Sequence, residues 1–364
     1  MKHGWEYKKF TDVCDVQYGF AFDSKFFTDD ENAMPLIRIR DVMRGYSETF
    51  YNGEIPNGYL INEGDYLVGM DGEFNIGRWG KRPGLLNQRV CKMSSSSKLL
   101  DNQYMYYFMK VCLKSIEDET PFVTVKHLSA KRINLIEIPL PPLLTQQSIA
   151  SELDKINKLI RLKKEQLKDY DNLVQSIFYE MFGDPVVNEK GWEVKRITDL
   201  CVEISAGGDA SKHEIKKTKD EIFYVPVYSN GIDKDGLYGY SNHATIIQPA
   251  ITLAARGTIG AAFIRTEPYI PIIRLVSVIP DLSKISLIYL LYILKQTEWD
   301  RTGGTIPQLP VPKVKQLTLP LPPLPLQQLF AQRIELIEKQ KAEIQTTITD
   351  LETLLASRMQ YWFD

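Results

Sequence analysis

The chain consists of two copies of one sequence unit that follow each other head to tail. The segment PLPPL at residues 139–143 returns at residues 320–324, and the glutamine pair at residues 146–147 returns at residues 327–328. Both recurrences have the same spacing of 181 residues, so no residue was gained or lost between the two features. A unit of this length is too long for a solenoid repeat and long enough to form a domain of its own. The sequence therefore predicts two similar domains.

A second recurrence marks the start of each copy. The tripeptide GWE at residues 4–6 returns at residues 191–193, and Cys14 returns as Cys201, each 187 residues later. A duplicated domain within one chain has pseudo-two-fold symmetry. Proteins with two-fold symmetry suit targets that present two half-sites, and DNA is the commonest such target.

The composition is that of an ordinary globular protein. With 364 residues, of which 44% are hydrophobic and 25% charged, we expect two or three domains. No apolar run approaches the ~20 residues that a membrane span requires, and the first residues lack the apolar segment of a signal peptide. The four cysteines form no CxxC pair, so we expect a reduced, cytoplasmic protein in which Cys14 and Cys201 are small buried residues.

The charge balance argues against a DNA-binding protein that works alone. The net charge is −2 and the pI is near 6.2, whereas the phosphate backbone attracts basic surfaces. Residues 1–144 carry 18 Lys and Arg against 19 Asp and Glu, and residues 184–325 carry 16 against 15. Any basic surface must therefore be local, unless a partner supplies much of the non-specific affinity.

The residues between the repeated blocks predict an α+β fold. Strand patterns are many, short and split by Gly and Pro, and few helices lie between them. The alternation of apolar and charged residues at 35–40 predicts a half-buried strand, with Arg38 and Arg40 on one polar face. We interpret the proline-rich junctions, such as residues 139–142, as stiff spacers that fix the angle between each domain and the helix that follows it.

Each junction precedes a long helix with apolar residues at alternating steps of three and four. This 3.5-residue period, kept over more than four heptads in both copies, predicts an antiparallel coiled coil within one chain. The alternative is that each helix packs on its own domain. Lys163, Lys341 and Arg358 interrupt the apolar seam, and they either set its register or extend to solvent. The seam is predicted at Ile149, Leu153, Ile156, Ile160, Leu167, Val174, Phe330, Ile334, Ile337, Ile344, Ile348 and Leu355.

These patterns divide the chain into four segments. Residues 1–144 and 184–325 form the two domains, and residues 145–183 and 326–364 form the two helices. The predicted architecture is thus two similar α/β domains separated by two long helices, with pseudo-two-fold symmetry.

The sequence lacks the motifs of the common catalytic sites. There is no Walker A sequence, no GxGxxG, and no Asn-Pro-Pro-Tyr or Asp-Pro-Pro-Tyr of amino-methyltransferases. The four histidines have no metal-ligand spacing, so no metal site is predicted. Asp71 and Glu73 could form an acid pair, but a turn is the better interpretation. We therefore expect a binding protein without a catalytic site of its own.

Several motifs together resemble the specificity subunit of type I restriction-modification enzymes, over nearly the whole chain. The segments that carry the resemblance are the junctions at 138–147 and 319–328, the helix end at 181–185 with GWE at 191–193, and residues 86–90, 124–128, 226–231, 256–260 and 305–309. The resemblance implies that each domain recognises one half of a bipartite, asymmetric double-stranded DNA target, and that the coiled coil sets the gap. It further implies two adenine methyltransferase subunits and two restriction/translocase subunits as partners, with S-adenosylmethionine, ATP and Mg²⁺ bound by those partners.

Candidate DNA contacts are inferred from residue chemistry. Arginines beside turns suit guanine edges and phosphates, and a lysine run suits phosphates. Arg78, Lys81 and Arg82 are expected in a loop with Trp79, and Arg256 opens a Gly-Thr-Ile-Gly loop. The candidates are Arg38, Arg40, Arg78, Lys81, Arg82, Lys212, Lys216, Lys217, Tyr228, Asn230 and Arg256.

Two other functional classes stay open from the sequence. One is a coiled-coil adaptor that binds proteins and no DNA, which the slightly acidic pI favours and the divergence of the two domains disfavours. The other is a self-contained enzyme such as a fused methyltransferase, which the missing motifs and the limited length disfavour.

Overall fold

The structure is a computed structural model that describes residues 4–80, 82–120, 126–299 and 308–363. The chain divides into two compact units. Unit 1 takes Met1–Lys164 and Thr346–Asp364, and unit 2 takes Glu165–Gln345. Each unit therefore contains one α/β domain, part of the first long helix and part of the second.

Unit 1 begins with eleven strands and two helices among its described residues. The strands are β1 (Glu6–Lys9), β2 (Cys14–Tyr18), β3 (Phe27–Thr28), β4 (Met34–Ile37), β5 (Phe50–Tyr51), β6 (Leu60–Ile61), β7 (Tyr66–Gly69), β8 (Ile76–Arg78), β9 (Gly84–Leu86), β10 (Val90–Ser95) and β11 (Glu137–Leu140). The helices are α1 (Asn102–Glu119) and α2 (Ala130–Ile133). The first long helix, α3, spans Leu143–Phe182.

Unit 2 repeats this order with fewer strands among its described residues. Its strands are β12 (Val194–Arg196), β13 (Cys201–Ala206), β14 (Val225–Tyr228), β15 (Leu237–Ser241), β16 (Ala250–Leu253), β17 (Ala262–Arg265), β18 (Ile270–Pro271), β19 (Val276–Pro280) and β20 (Thr318–Pro320). Its helices are α4 (Ile197–Leu200), α5 (Leu287–Gln296) and α6 (Val311–Lys315), and the second long helix, α7, spans Leu324–Phe363.

The main sheet has the same antiparallel topology in both units. Its strand order is β2-β10-β7-β8 in unit 1 and β13-β19-β16-β17 in unit 2. In both units a glycine lets this sheet approach the neighbouring backbone closely. A Cβ at Gly19 would lie 2.1 Å from the Asn87 carbonyl oxygen, and one at Gly207 would lie 2.5 Å from the Pro271 carbonyl.

The second sheet differs between the units. In unit 1 it has five strands in the order β3-β5-β4-β9-β6, and in unit 2 it has three in the order β15-β14-β18. A parallel pair, β4 with β9 or β14 with β18, is common to both. The two units therefore share a frame, which consists of the four-stranded main sheet, the junction and the long helices, and they differ in the second sheet.

The proline-rich junctions, which the sequence predicted to be stiff spacers of polyproline conformation, are partly β-strands. β11 pairs with β1 and places Pro139 opposite Tyr7, while β20 pairs with β12 and places Pro320 opposite Val194. A proline is tolerated there because each pair has only two strands, which leaves the proline nitrogen at an edge. These pairs tie the start of each domain to its end.

A buried glutamine and a buried tyrosine lock each junction to the domain. Gln146 accepts a hydrogen bond from the Asp101 amide at 2.9 Å and donates to the carbonyls of Leu99 and Pro141. The Tyr104 hydroxyl donates to the Pro139 carbonyl at 3.0 Å. The repeated glutamine thus satisfies polar backbone groups that burial would otherwise leave without partners.

Unit 2 contains the same lock. Gln327 accepts from the Ser286 amide at 2.8 Å and donates to the Pro322 carbonyl at 2.7 Å. The Tyr289 hydroxyl donates to the Pro320 carbonyl at 2.7 Å. Because Asp101 and Ser286 precede α1 and α5, the lock joins the start of this helix to the start of the long helix in both units.

The two long helices pack against each other with opposite directions. In unit 1 the start of α3 meets the end of α7, where Arg358 and Trp362 both donate to the Glu152 carboxylate. In unit 2 the end of α3 meets the start of α7, where the Phe330 ring lies 5.2 Å from that of Phe182. Lys341 also reaches Asp171 of α3 at 2.8 Å. The predicted fold class, with an antiparallel coiled coil, is confirmed.

The apolar seam between these helices is buried or half-buried at every predicted position. Leu167 and Leu355 are half-buried, and the other ten positions are buried. Lys341 and Arg358 pair with carboxylates of α3 at the edge of the seam. That they set its register stays a prediction. Cys14 is buried and Cys201 half-buried.

Candidate nucleic-acid interface

A cleft in unit 1 collects arginine and amide side chains from three loops. It has a volume of about 740 Å³. The loop after β4 contributes Arg38 and Arg40, the loop between β7 and β8 contributes Glu73 and Asn75, and the turn between β9 and β10 contributes Asn87, Gln88 and Arg89. These side chains are the types that bind base edges in the major groove of DNA.

Arg38 and Arg40 do not lie on one face of a strand, as the sequence pattern had predicted. β4 ends at Ile37, and residues Ile39–Asp41 form a turn of 3₁₀ helix that presents both arginines at the surface. The apparent alternation failed because Leu36 and Ile37 are both buried in succession.

The buried carboxylate of Asp41 organises this turn. It accepts hydrogen bonds from the Arg38 amide at 2.8 Å and from the Ser47 hydroxyl at 3.0 Å. Burial raises the pKa of Asp41 above its ordinary value, against the opposing effect of these hydrogen bonds and of nearby arginines. The Arg40 guanidinium in turn donates to the Thr49 hydroxyl at 2.9 Å. The fold therefore holds Arg40 in a defined position while about half of its side chain stays exposed.

Arg89, at the edge of the same cleft, belongs to a charged group centred on Asp71. The Asp71 carboxylate lies 3.3 Å from Arg89 Nε and 2.5 Å from His127 Nδ1. The backbones of Asp71 and His127 also form a bridge. Asp71 thus partners two basic side chains, which does not support the acid pair with Glu73 considered from the sequence.

The remaining candidates of unit 1 lie elsewhere. Arg78 is the last residue of β8 and not part of the loop. It pairs with Tyr66 at one end of the β7–β8 pair, whereas Asn75 lies at the other end. Arg82 donates to the carbonyls of Glu31 and Ala33 at 2.6 and 2.7 Å and lines a different cleft of about 610 Å³. Lys81 lies outside the described residues.

In unit 2 a smaller cleft of about 220 Å³ contains Arg256, Arg274 and Gln308. Arg256 follows β16 and donates from Nη2 to the Gln308 carboxamide at 3.3 Å. Its Nε is buried without a hydrogen-bond partner among the described residues. Arg274 lies in the turn between β18 and β19 and is exposed.

Asn230 connects the loops that carry these arginines. Its carboxamide oxygen accepts from the Ala255 amide at 2.7 Å, and its nitrogen donates to the Ile273 carbonyl at 2.6 Å. Because Ala255 precedes Arg256 and Ile273 precedes Arg274, Asn230 fixes the separation of the two arginines. Its side chain therefore has a positioning role in the structure, while a direct DNA contact stays a prediction.

Tyr228 and the lysine run are engaged with neighbouring groups. The guanidinium of the buried Arg265 lies over the Tyr228 ring, 3.5 Å from its centroid. Lys216 pairs with Asp220 at 3.0 Å, and Lys217 lies 3.7 Å from the centroid of the Tyr238 ring. Lys212 is exposed on a short 3₁₀ turn. These lysines do not line the arginine cleft.

The charged groups of the two units occupy equivalent positions. The backbone bridge between Asp71 and His127 has its counterpart between Arg256 and Gln308. In each unit a glycine amide donates to the carbonyl just after the arginine of the turn, Gly19 to Val90 and Gly207 to Leu275. Arg89 and Arg274 are therefore equivalent.

Arg89, Arg274 and Gln308 were not among the sequence candidates. Arg89 and Gln308 do lie in the segments at 86–90 and 305–309, which carry the resemblance to the family. The equivalence of Arg89 with Arg274 required the sheet pairing, because their flanking sequences, NQRV and IIRL, share only the arginine in register.

Metal-binding clusters and membrane-spanning helices are both absent from the described residues. No group of three or more His, Cys, Asp or Glu side chains there could hold a metal ion. Within the same ranges, no helix has both the length and the apolar character needed to cross a membrane.

Comparison with known proteins identifies the family. The model of the type I restriction modification DNA specificity domain matches twice, at residues 2–169 and 189–353. The chain belongs to this family. Its members are the non-catalytic components that recognise specific DNA sequences in type I restriction-modification systems. The double match coincides with the two copies found in the sequence.

Relatives and solved structures agree with this assignment. The specificity subunit of the type I enzyme EcoBI of Escherichia coli is 39% identical over 163 residues, which are 45% of this chain and 34% of that subunit. A putative type I specificity subunit of Mycoplasma pneumoniae is 27% identical over 90% of this chain and 87% of its own.

Two solved structures share the fold. The S subunit of a type I restriction-modification system from M. genitalium has a TM-score of 0.58 at 14% identity, and covers 99% of this chain and 96% of its own. A second solved chain, from a type I system, has a TM-score of 0.62 at 15% identity, and the match covers 100% of this chain and 98% of that chain.

Proposed function

We propose that this specificity subunit recognises a bipartite double-stranded DNA target, with one half-site read by each unit. The observation that carries the proposal is that one duplicated frame holds different side chains at equivalent positions. Asp71 and His127 in unit 1 correspond to Arg256 and Gln308 in unit 2, while an arginine, Arg89 or Arg274, is common to both. Because each base pair presents a distinct pattern of donors and acceptors, different side chains imply different half-sites.

The coiled coil would set the gap between the half-sites. A helix of 40 residues, the length of both α3 and α7, extends for about 60 Å at ~1.5 Å per residue. A pair of such helices is long enough to separate two half-sites by more than the ~34–36 Å of one DNA turn. The gap would therefore be a fixed property of this chain.

The proposal includes partner subunits. The near-balanced charge of both domains leaves little surplus for the release of counterions from DNA. We therefore assign much of the non-specific affinity to two adenine methyltransferase subunits docked on this chain, joined by two restriction/translocase subunits. S-adenosylmethionine, ATP and Mg²⁺ would be bound by those partners, and the cytoplasmic location expected from the sequence stays a prediction.

An exchange of one domain tests the separate reading of half-sites. Residues 185–318 would be replaced by the corresponding domain of a related specificity subunit, and the methylated sequences would be determined in a host that carries the chain with its methyltransferase. We expect one half of the methylated sequence to change and the other half to stay the same. The reciprocal exchange in unit 1 is the matched control. A change in both halves would contradict independent reading.

A binding measurement tests the dependence on partners. The isolated chain should bind DNA weakly, and added methyltransferase subunits should increase its affinity for target duplexes strongly. Affinities for target and non-target duplexes would be measured at several salt concentrations. Absence of sequence-specific binding with and without the methyltransferase would favour the coiled-coil adaptor instead. Tight specific binding by the chain alone would contradict the assigned role of the partners.

A further inference from the structure

The arginine cleft of unit 2 has a charge pattern that its counterpart in unit 1 lacks. In unit 1 the carboxylate of Asp71 neutralises Arg89 at 3.3 Å. The equivalent of Asp71 in unit 2 is Arg256, so that two guanidinium groups share one cleft with the neutral carboxamide of Gln308. No carboxylate lines this cleft among the described residues. Two cations in a small cleft require a ligand rich in hydrogen-bond acceptors.

The turn that carries Arg274 is held in a costly conformation. Ile273 and Arg274 have φ values of +54° and +64°, a region that β-branched and other L-residues rarely adopt. The Ile273 amide donates to the Gly208 carbonyl at 2.8 Å, and the Asn230 side chain donates to the Ile273 carbonyl. Such strain persists only where surrounding contacts impose it, and it is concentrated at functional sites. The fold thus fixes where Arg274 emerges.

Arg256 is held in place in a similar way. Its backbone pairs with Gln308, its Nη2 donates to the Gln308 carboxamide, and its buried Nε has no partner among the described residues. A buried donor without a partner is unfavourable, and an acceptor on a bound ligand would remove that cost. The guanidinium is therefore positioned in advance, with donors still available.

The walls of the cleft favour a base edge over a phosphate. Beside the two arginines and the glutamine, the lining is largely apolar, with Ala255, Val276 and Leu309 among the contributors. Apolar walls pack well against the flat edge of a base. A phosphate is strongly hydrated and is better bound by an exposed lysine, where it keeps part of its water. Arginine with the O6 and N7 of guanine is the commonest specific contact to DNA.

We propose that Arg256 and Arg274 recognise a guanine in the half-site of unit 2, and that Asn230 is the positioning residue that sets their separation. This inference rests on the proposed function, since it names the base chemistry of one half-site. Unit 1, where Asp71 engages Arg89, would read a different sequence at the equivalent step.

The test is selection from a randomised duplex library by the full chain assembled with its methyltransferase subunits. The wild-type complex should enrich two half-sites, one of which contains an essential G·C pair. Arg256→Ala should lower the preference for that pair by about ten-fold or more, and leave the other half-site unchanged. Lys219→Ala, in the exposed lysine run at residues 212–219, is the control. It should lower the affinity for all sequences alike.

Two more variants separate a base contact from a phosphate contact and a positioning role from a structural one. Arg256→Lys keeps the charge but loses the forked donors, so it should lose the guanine preference while it retains non-specific affinity. Asn230→Ala should relax the preference at the same pair without changing the non-specific affinity or its salt dependence. A structural role alone would not shift the preference at one base pair.

The outcomes distinguish the inference from the proposed function. If the wild-type complex enriches no sequence, the proposed function fails and the inference fails with it. If the wild type enriches two half-sites but Arg256→Ala and Arg256→Lys keep the same base preferences, the inference alone is wrong. A uniform loss of affinity in Arg256→Ala that Arg256→Lys restores would identify a phosphate contact and would also overturn it.

Discussion

The two units share a frame and differ where that frame meets its candidate ligand. Both have the same four-stranded order, the same glycine contact and the same lock at Gln146 or Gln327. At one position on this frame, unit 1 has an acid, Asp71, and unit 2 has a base, Arg256. The strand order is therefore the same in both units, while the charge at this position of the candidate recognition surface is reversed.

The side chains that organise each surface differ as well. In unit 1 the buried Asp41 holds the turn of Arg38 and Arg40, whereas in unit 2 the carboxamide of Asn230 holds the loops of Arg256 and Arg274. Asp41 follows β4 and Asn230 follows β14, and these strands are equivalent because each belongs to the parallel pair of its second sheet. A single location in the fold therefore supports two different candidate recognition surfaces through local hydrogen bonds.

The largest expected effect is on the frame itself, and it should be alike in both units. Ile156 and Ile337 are 7% and 8% exposed in the helix pair. Ile156→Asp or Ile337→Asp would bury an unpaired charge and should each cost roughly 3–5 kcal/mol in the free energy of unfolding. Denaturant unfolding of the full chain measures the cost.

The neighbouring leucines provide matched controls for this comparison. Leu159 and Leu336 are 47% and 66% exposed on the same helices, so Leu159→Asp and Leu336→Asp should change the free energy of unfolding by less than about 1 kcal/mol. Equal costs for the isoleucine and leucine variants would show that the seam is not the interface between the helices.

A smaller effect is expected at the glutamine lock. Gln146→Ala removes the partner of three backbone groups and should cost about 3 kcal/mol, while Gln327→Ala removes the partner of two and should cost about 2 kcal/mol. Thermal unfolding measures both. Gln147→Ala and Gln328→Ala change the adjacent exposed glutamines and should have little effect. Similar losses of stability in the buried and the exposed glutamine variants would show that Gln146 and Gln327 do not stabilise the junctions.

The features of the frame were predictable because they recur in register. The 3.5-residue period survives in both helices, and the glutamine pairs return at the same spacing as the prolines. Packing of apolar side chains along a helix depends on local sequence, so its period is visible in the chain. The pairing of β11 with β1 was missed because it joins residues near opposite ends of a domain.

The candidate site was less predictable for the same physical reason. Asp71, Arg89 and His127 are brought together by three separate loops, and no local pattern marks their contact. Arg38 and Arg40 were sequence candidates and both line the cleft, but their strand assignment was wrong because buried Leu36 and Ile37 end the alternation. Arg82 is a surface arginine whose donors are satisfied by backbone carbonyls, which composition does not reveal.

The smallest predicted effect distinguishes the two ends of the helix pair. In unit 1 the Glu152 carboxylate binds Arg358 and Trp362, and the hydrogen bond from Arg358 lowers the pKa of Glu152 below its ordinary 4.5. In unit 2 the contact instead includes the aromatic rings of Phe182 and Phe330.

A lowered carboxyl pKa contributes stability that is present above the unfolded value and is lost as the pH falls through the folded value. Glu152→Gln should therefore destabilise the chain at pH 7, and its difference from wild type should shrink below pH 4.5. Because about a third of each side chain is exposed, solvent screening limits the effect to about 1 kcal/mol or less. Thermal unfolding of both proteins from pH 7 to pH 3 tests this, with the exposed Glu335→Gln as control. A constant difference across that range would show that the ionised carboxylate of Glu152 does not stabilise the unit 1 end.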